Sequence, residues 1–367
     1  MMNIILILFV LVIAFGICFM SIPSTSQSRK AFISIILFFL TMESCMRGIG
    51  VGSDTYKYEE MFAKIELQTW DNLWKNLITR YTENSSTEDV GYLIFMKFVQ
   101  IFSTNFQFFL FVCALFFFIP FGKLLYKYTT DNRQLTFIFI FYVALFNMIA
   151  MSGVRKEMAL GMAVLFILYY TEKKYVKMAT ALLIGVLIHM TTLLILLVPL
   201  VNFIPKKYLR YVHIGAFAAI PFILSAMGPM LVLMANVVDN EHYEKYGEQT
   251  AQGGAGTFFL LIELLSLFCL WSFRKIDIKN DSILSKMYAM LPLFTIFAPL
   301  IQQSGSMIRI SQYFHLYLLI LLPYAVETYF KKSGTQVVYF ALSLILILLA
   351  LRTTDDSFYF FWQNAPE

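Results

Sequence analysis

Residues 106–133 read FQFFLFVCALFFFIPFGKLLYKYTTDNR. The first seventeen, 106–122, pass without a charged side chain. That is close to the length a helix needs to cross a hydrocarbon core of roughly 30 Å. Lys123, Lys127 and Arg133 follow at once. An apolar run of this length closed by basic residues reads as a membrane span whose basic flank is held on one side.

The same pattern recurs along the chain. Working outward, apolar stretches lie at 3–22, 31–47, 135–152, 157–171, 178–190, 191–204, 211–234, 257–273, 283–300, 310–330 and 336–351, which with 106–122 makes twelve candidate spans. Composition agrees: 59% of the 367 residues are hydrophobic and 14% charged, against about a quarter charged in soluble domains. The expected fold class is all-α, a polytopic transmembrane helix bundle of about 12 spans. Stretch 3–22 has no basic region before it and no small-residue cleavage motif after it, so it is expected to be a retained helix. The net charge of +5 does not point to nucleic acid. Cys18, Cys45, Cys113 and Cys269 sit in apolar stretches without paired spacing, so neither a disulfide framework nor a thiolate metal site is expected.

Orientation follows from the basic loops. If 23–30 is cytoplasmic, so are 123–133, 172–177, 205–210, 274–282 and 331–335, and these six loops hold 16 of the 28 Lys and Arg residues. This is the positive-inside distribution. Both termini then face outward. The parity requires that the apolar piece 91–102 does not cross. Twelve helical residues reach about 18 Å, so an interfacial or re-entrant helix is expected there. Stretch 178–204 is flanked by lysines at both ends; a hairpin turning near His189 satisfies them, and a single tilted helix is the alternative.

Two outer loops remain, 48–105 and 235–256, within what otherwise reads as one membrane domain over 1–367. The first is rich in Tyr, Trp, Asp, Glu and Asn, side chains that stack on and hydrogen-bond to sugar rings. The second ends in a glycine-rich run.

Ionisable groups at membrane depth are costly and mark function or pairing. Glu43, Arg47, Arg155, His189, Glu263, Gln302, Gln303, Arg309 and Gln312 are all expected near the outer surface, with Tyr313 sharing a stripe with Arg309 and Gln312. Such convergence suggests an outward-opening pocket whose arginines suit an anion, since the guanidinium fork matches phosphate oxygens. Blander readings stand beside it. Arg155 or Arg309 can be interface anchors, Glu43 with Arg47 a structural pair, Glu263 and His189 packing residues. His213 and His242 are read as surface residues.

Arg47 to Phe62 reads RGIGVGSDTYKYEEMF, and it resembles the G-x-D-T-x-x-Y-x-x-x-F segment of EpsG-type proteins and related Wzy-type polysaccharide polymerases. Asn147 to Ala159, NMIAMSGVRKEMA, resembles their outer arginine turn, with Arg155-Lys156 in place of Arg-Gln. Leu187 to Thr191 is similar to an apolar-His-small segment, and Met307 to Phe314 to a late R-x-x-x-Y-F segment. The resemblance spans Arg47 to about Tyr324.

It implies a GT-C-like bundle in a bacterial cytoplasmic membrane that joins undecaprenyl-pyrophosphate-linked oligosaccharide repeat units at its outer face into O-antigen, capsule or exopolysaccharide. Membrane lipid, a chain-length regulator and other polysaccharide assembly proteins are the partners implied. Catalysis then needs positive charge on the departing pyrophosphate and a base for the attacking sugar hydroxyl. Arg47, Arg155 and Arg309 are candidates for the first task, Asp54 or His189 for the second. Tyr56 and Tyr58 are expected to contact sugar or order the loop, and Glu43, Gln302, Gln303, Gln312 and Tyr313 to line the substrate site. No D-x-D spacing accompanies the spans, so neither a metal nor any other cofactor is expected. A flippase for the same lipid-linked sugar would need a similar cavity, but no inverted repeat supports it. A membrane acyltransferase acting on surface glycans is the second rival.

Overall fold

In the computed structural model, the structure describes residues 3–83, 90–238, 255–273, 287–302, 308–353 and 358–363. Its helices are α1 (Ile4–Met20), α2 (Ser26–Met46), α3 (Thr55–Ile65), α4 (Trp70–Glu83), α5 (Val90–Gln100), α6 (Phe106–Tyr128), α7 (Asn132–Leu145), α8 (Asn147–Ser152), α9 (Val154–Thr171) and α10 (Tyr175–Ile188). After a 3₁₀ turn at Met190–Leu196 come α11 (Leu197–Asn202), α12 (Lys206–Val238), α13 (Ala255–Ser272), α14 (Met290–Phe297), α15 (Ile308–His315), α16 (Leu318–Tyr329) and α17 (Lys332–Thr353). Among the described residues there is no strand, only one isolated antiparallel bridge between Arg47 and Phe360. The chain forms two compact units, Met1–Leu193 with Ala341–Glu367, and Leu194–Phe340.

Each of the twelve apolar stretches is helical over most of its described length. Among the described residues, three helical segments are long and apolar enough by themselves to cross a membrane: Phe106–Tyr128, Lys206–Ala226 and Lys332–Arg352. Others are shorter or broken. Stretch 135–152 divides at Phe146, 191–204 is a 3₁₀ turn followed by six α-helical residues, and 310–330 divides at 316–317. The protein is an all-helical membrane protein in which interrupted helices are prominent. Backbone breaks at membrane depth are tolerated where protein or a polar cavity surrounds them.

In the first unit α6 lies between α2 and α9, α9 packs on α10, and α1 packs on α7. Lipid tails are as apolar as leucine, so packing in a membrane depends on close approach rather than on water exclusion. Gly161 shows this: a Cβ there would lie 2.0 Å from the Phe116 carbonyl oxygen, so α9 can meet α6 only through a glycine. Beside this contact Phe117, Phe121 and Tyr142 stack, all fully buried, with centroids 5.3 Å and 5.1 Å apart along the series.

The two ends of this unit differ. At one, Arg29 donates to the carbonyls of Tyr126 and Thr129, and Asn132 donates to Phe19 O at 2.8 Å. Glu172 bridges Lys127 (2.7 Å) and Lys174 (2.8 Å), and their ammonium groups hold its carboxyl down to about 2. Three basic loops, 23–30, 123–133 and 172–174, therefore gather at one end. The end of α2, the start of α6 and the break at 146–153 gather at the other, where Gln107 Nε2 donates to Arg47 O at 3.1 Å. Chain direction and basic residues alternate together in this unit.

One expectation gains detail and one needs correction. Segment 48–105, expected as an outer loop with an interfacial helix, carries three helices, α3, α4 and α5. The apolar residues Tyr58, Phe62 and Ile65 fall at helical spacing and are buried, and they fold α3 down onto α5 and α6. His213, read as a surface residue, is fully buried. Its Nδ1 is 3.0 Å from the Tyr288 hydroxyl and its Nε2 3.0 Å from Ser266 Oγ, which satisfies both ring nitrogens without water. His242 and most of loop 235–256 lie outside the described residues.

Candidate functional site

The three resembling segments of the first unit meet at the end opposite its basic loops. Gly52 begins this. Its φ is +87°, a backbone that L side chains adopt at a cost, and a Cβ would stand 2.8 Å from the Met151 carbonyl oxygen. The glycine thus lets the segment after α2 lie against the α8–α9 break. Thr55 Oγ1 donates to Val51 O at 2.6 Å and closes the turn that starts α3. Asp54 is the half-buried N-cap residue of α3, and Ser53 Oγ donates to its Oδ1 at 3.4 Å.

Arg47 leaves α2 in an extended conformation and is 1% exposed. Its Nη1 donates to Ser44 O at 2.6 Å and to Ser44 Oγ at 3.0 Å, while Nε and Nη2 have no hydrogen-bond partner among the described residues. Glu43, one turn earlier on α2, lies in its electrostatic range and accepts from Asn147 Nδ2 at 2.8 Å. Glu157, in the first turn of α9, shares with Arg47 a cavity of about 20 Å³ also lined by Ser44, Cys113, Ala150 and Val154. Both Glu157 carboxylate oxygens are buried without a hydrogen-bond partner among the described residues. The cavity has room for about one water molecule. It does not admit a sugar or a pyrophosphate.

Arg155 is differently placed. It is partly exposed, and its guanidinium carbon stands 5.9 Å from the ring centroid of Tyr92 on α5. Tyr92 is fully buried, meets Tyr58 edge-on at 5.8 Å and lies in electrostatic range of both Arg47 and Arg155. Tyr58 is therefore packed in the core, while Tyr56, two residues earlier, is 64% exposed.

His189 caps α10 in an extended conformation, with its N–H donating to Gly185 O at 2.8 Å. Thr192 Oγ1 lies within hydrogen-bonding distance of both Gly185 O and His189 O, which fixes the turn after it. The preceding residues approach α5 closely: a Cβ on Gly91 would lie 2.2 Å from Leu187 O. The histidine is partly exposed.

The tail completes this end. Gly48 N donates to Tyr359 O (2.8 Å), Phe361 N to Met46 O (2.9 Å) and Gly50 N to the Tyr359 hydroxyl (2.8 Å). Residues 358–363 thus clasp the backbone on both sides of Arg47.

In the second unit Gln312, Tyr313, Ser311 and His315 are buried on α15, and Gln302 is partly buried. Gln303 and the Arg309 side chain lie outside the described residues. Glu263 accepts from Thr295 Oγ1 at 3.1 Å, and Thr295 is 3.3 Å from His213, so a polar chain runs from Tyr288 to Glu263 inside this unit. Sequence reasoning missed Asn147, Glu157 and Tyr92. The first two lie within the quoted segment 147–159, where a glutamate in the first turn of an apolar helix was the available signal.

The model of the EpsG family matches residues 30–364, nearly the whole chain, and the chain belongs to that family. No curated protein and no solved structure matches it. Membership is consistent with a membrane protein of the polysaccharide polymerase type.

Proposed function

We propose, taking membership of the EpsG family as the premise, that the protein is a glycosyltransferase that polymerises lipid-pyrophosphate-linked oligosaccharides, undecaprenyl pyrophosphate being the carrier, at the outer face of a bacterial cytoplasmic membrane. A hydroxyl of the acceptor repeat unit attacks the anomeric carbon of the donor chain. The new glycosidic bond forms as the carbon–oxygen bond to pyrophosphate breaks, and the hydroxyl proton passes to a protein base. The observation that carries the reading is the packing of segments 47–62 and 147–159 around Arg47, with the partly exposed Arg155 beside them.

Within it the arginines divide the work. Arg155 is accessible and contacts the departing pyrophosphate, where charge develops in the transition state. Arg47 is enclosed with Glu43 and Glu157 and is a positioning residue that fixes the α2 end against α9. His189 is the preferred base, because an unperturbed imidazole titrates near 6.5 and accepts a proton at neutrality. Asp54 is the second candidate. Tyr56 is exposed for sugar contact, and Gln302, Gln303, Arg309, Gln312 and Tyr313 are proposed as substrate contacts within the second unit.

The test is deletion of the gene followed by sizing of the surface glycan. Loss of a polymerase leaves single repeat units at the surface, and wild-type complementation restores long chains. A surface bare of repeat units would instead identify a flippase and overturn the proposal.

A further inference from the structure

A second cavity of the first unit lies far from this site. It is a groove of about 660 Å³ between α2 and α6, with an apolar wall that includes Ile33, Leu37, Phe118 and Ile119. Phe38 and Ile119 on its rim are 57% and 51% exposed. A Cβ on Gly122 would lie 2.7 Å from Leu37 Cδ1, so the glycine keeps the floor of the groove clear. Two cations line one end, Lys30 from α2 and Lys123 from α6, with Tyr126 beside them. Lys30 Nζ lies 5.2 Å from the Tyr126 ring centroid, and Ser26 Oγ is hydrogen-bonded to the Tyr126 hydroxyl at 2.5 Å, so the ring is held in place from both sides. The other end, at Thr41 and Met42, carries no charge.

We infer that this groove is a binding site for an anionic membrane phospholipid, with its phosphate between Lys30 and Lys123 and an acyl chain along α2 and α6. Charge complementarity selects the occupant. An apolar channel with two lysines at one mouth pairs a hydrocarbon tail with a negative headgroup, and basic pockets between membrane helices recognise anionic headgroups in this way. From Lys30 to Met42 the groove follows twelve residues of helix, about 18 Å, the scale of one leaflet.

The site is separate from the proposed glycosyl-transfer centre. Lys30 lies near the start of α2 and Arg47 just past its end, which puts about 25 Å of helix between them. A headgroup on the lysines therefore belongs to the opposite leaflet from a pyrophosphate at Arg155. The inference does not depend on the proposed chemistry.

The test uses the purified full-length protein in detergent and counts retained lipid by native mass spectrometry. Phosphatidylglycerol, phosphatidylcholine and undecaprenyl phosphate are titrated separately. Wild type is expected to retain phosphatidylglycerol at roughly ten-fold lower lipid concentration than phosphatidylcholine. Lys30→Gln with Lys123→Gln should abolish that preference. Ser34→Phe, at an exposed groove position, should reduce retention of both phospholipids while the lysines remain. Equal retention of the two phospholipids by wild type, or a preference that survives the double substitution, overturns the inference. So does lysine-dependent retention of undecaprenyl phosphate without phosphatidylglycerol, which would make the groove a substrate subsite.

Discussion

The guanidinium of Arg155 stands over the ring of Tyr92 at 5.9 Å, joining the first turn of α9 to a short helix that packs against α6. A cation over an aromatic face gains about 0.5–2 kcal/mol, the larger value when desolvated, and here the contact also aims the guanidinium. Arg155→Ala is expected to abolish chain extension without lowering membrane abundance, and Arg155→Lys to impair it, since two-point contact is lost. Tyr92→Phe keeps the ring and should extend chains better than Tyr92→Leu. Normal polymer from Arg155→Ala would leave the residue as an interface anchor.

Arg47 should behave as a stability residue. Removing the cation takes a positive charge away from buried Glu43 and Glu157, the latter also near Lys156, and leaving buried polar groups less well compensated costs about 1–3 kcal/mol. Arg47→Met should lower the melting temperature of the detergent-solubilised protein, and adding Glu157→Gln should recover part of the loss. A wild-type melting curve for Arg47→Met alone would remove Arg47 from its positioning role.

The tail contributes through its hydrogen bonds. Tyr359→Phe removes the hydroxyl that accepts from Gly50 N and should cost about 1 kcal/mol. Gly48→Ala should cost more, because its Cβ would lie 2.0 Å from Tyr359 Cε2 and displace the whole clasp. Equal melting of the two variants would mean that the ring moves aside freely.

The choice of base is settled by pH and substitution together. With His189 as base, chain extension falls as pH drops through the pKa of its imidazole, because only the neutral ring accepts a proton. His189→Ala should then slow transfer while lipid-linked substrate remains bound. If Asp54→Asn stops turnover with substrate bound and His189→Ala stays active, the roles are exchanged.

Glu172 makes a smaller test at the basic end, on stability rather than turnover. Its carboxyl is lowered from 4.5 to about 2 by Lys127 and Lys174. The ion pairs therefore stabilise the fold fully above about pH 4.5, and the contribution disappears as pH falls through about 2. Both partners are solvent-accessible, so the effect is about 1 kcal/mol or less and shrinks with salt. Melting curves of wild type and Glu172→Gln should differ slightly at neutral pH in low salt and converge in acid.

Hydropathy and basic flanks made the helical membrane class legible, and segment 91–102, expected not to cross, forms the short helix α5, Val90–Gln100. The breaks at Phe146, Gly153 and 316–317 were not legible, because an apolar run carries no mark of where its backbone turns. Composition drew attention to the sugar-binding residue types of segment 48–105 and away from the helical spacing of Tyr58, Phe62 and Ile65. The burial of Arg47 could not be read because the residues that enclose it come from distant helices: Cys113 on α6 and Glu157 on α9 line its cavity. His213 carries no sequence mark of its burial, since its partners Ser266 and Tyr288 arrive from 53 and 75 positions later in the chain.

The clasp at residues 358–363 sets an order of events during synthesis. Gly50 must wait for Tyr359, which is 309 residues further along the chain. At about 5–20 residues per second, the delay is roughly 15 to 60 s. Throughout that interval the ribosome is still feeding helices into the bilayer, and the backbone beside Arg47 lacks its partner strand. Maturation of this end therefore waits on synthesis of residues 358–363, and until they emerge Gly48 and Gly50 lack the hydrogen-bond partners they have in the folded chain.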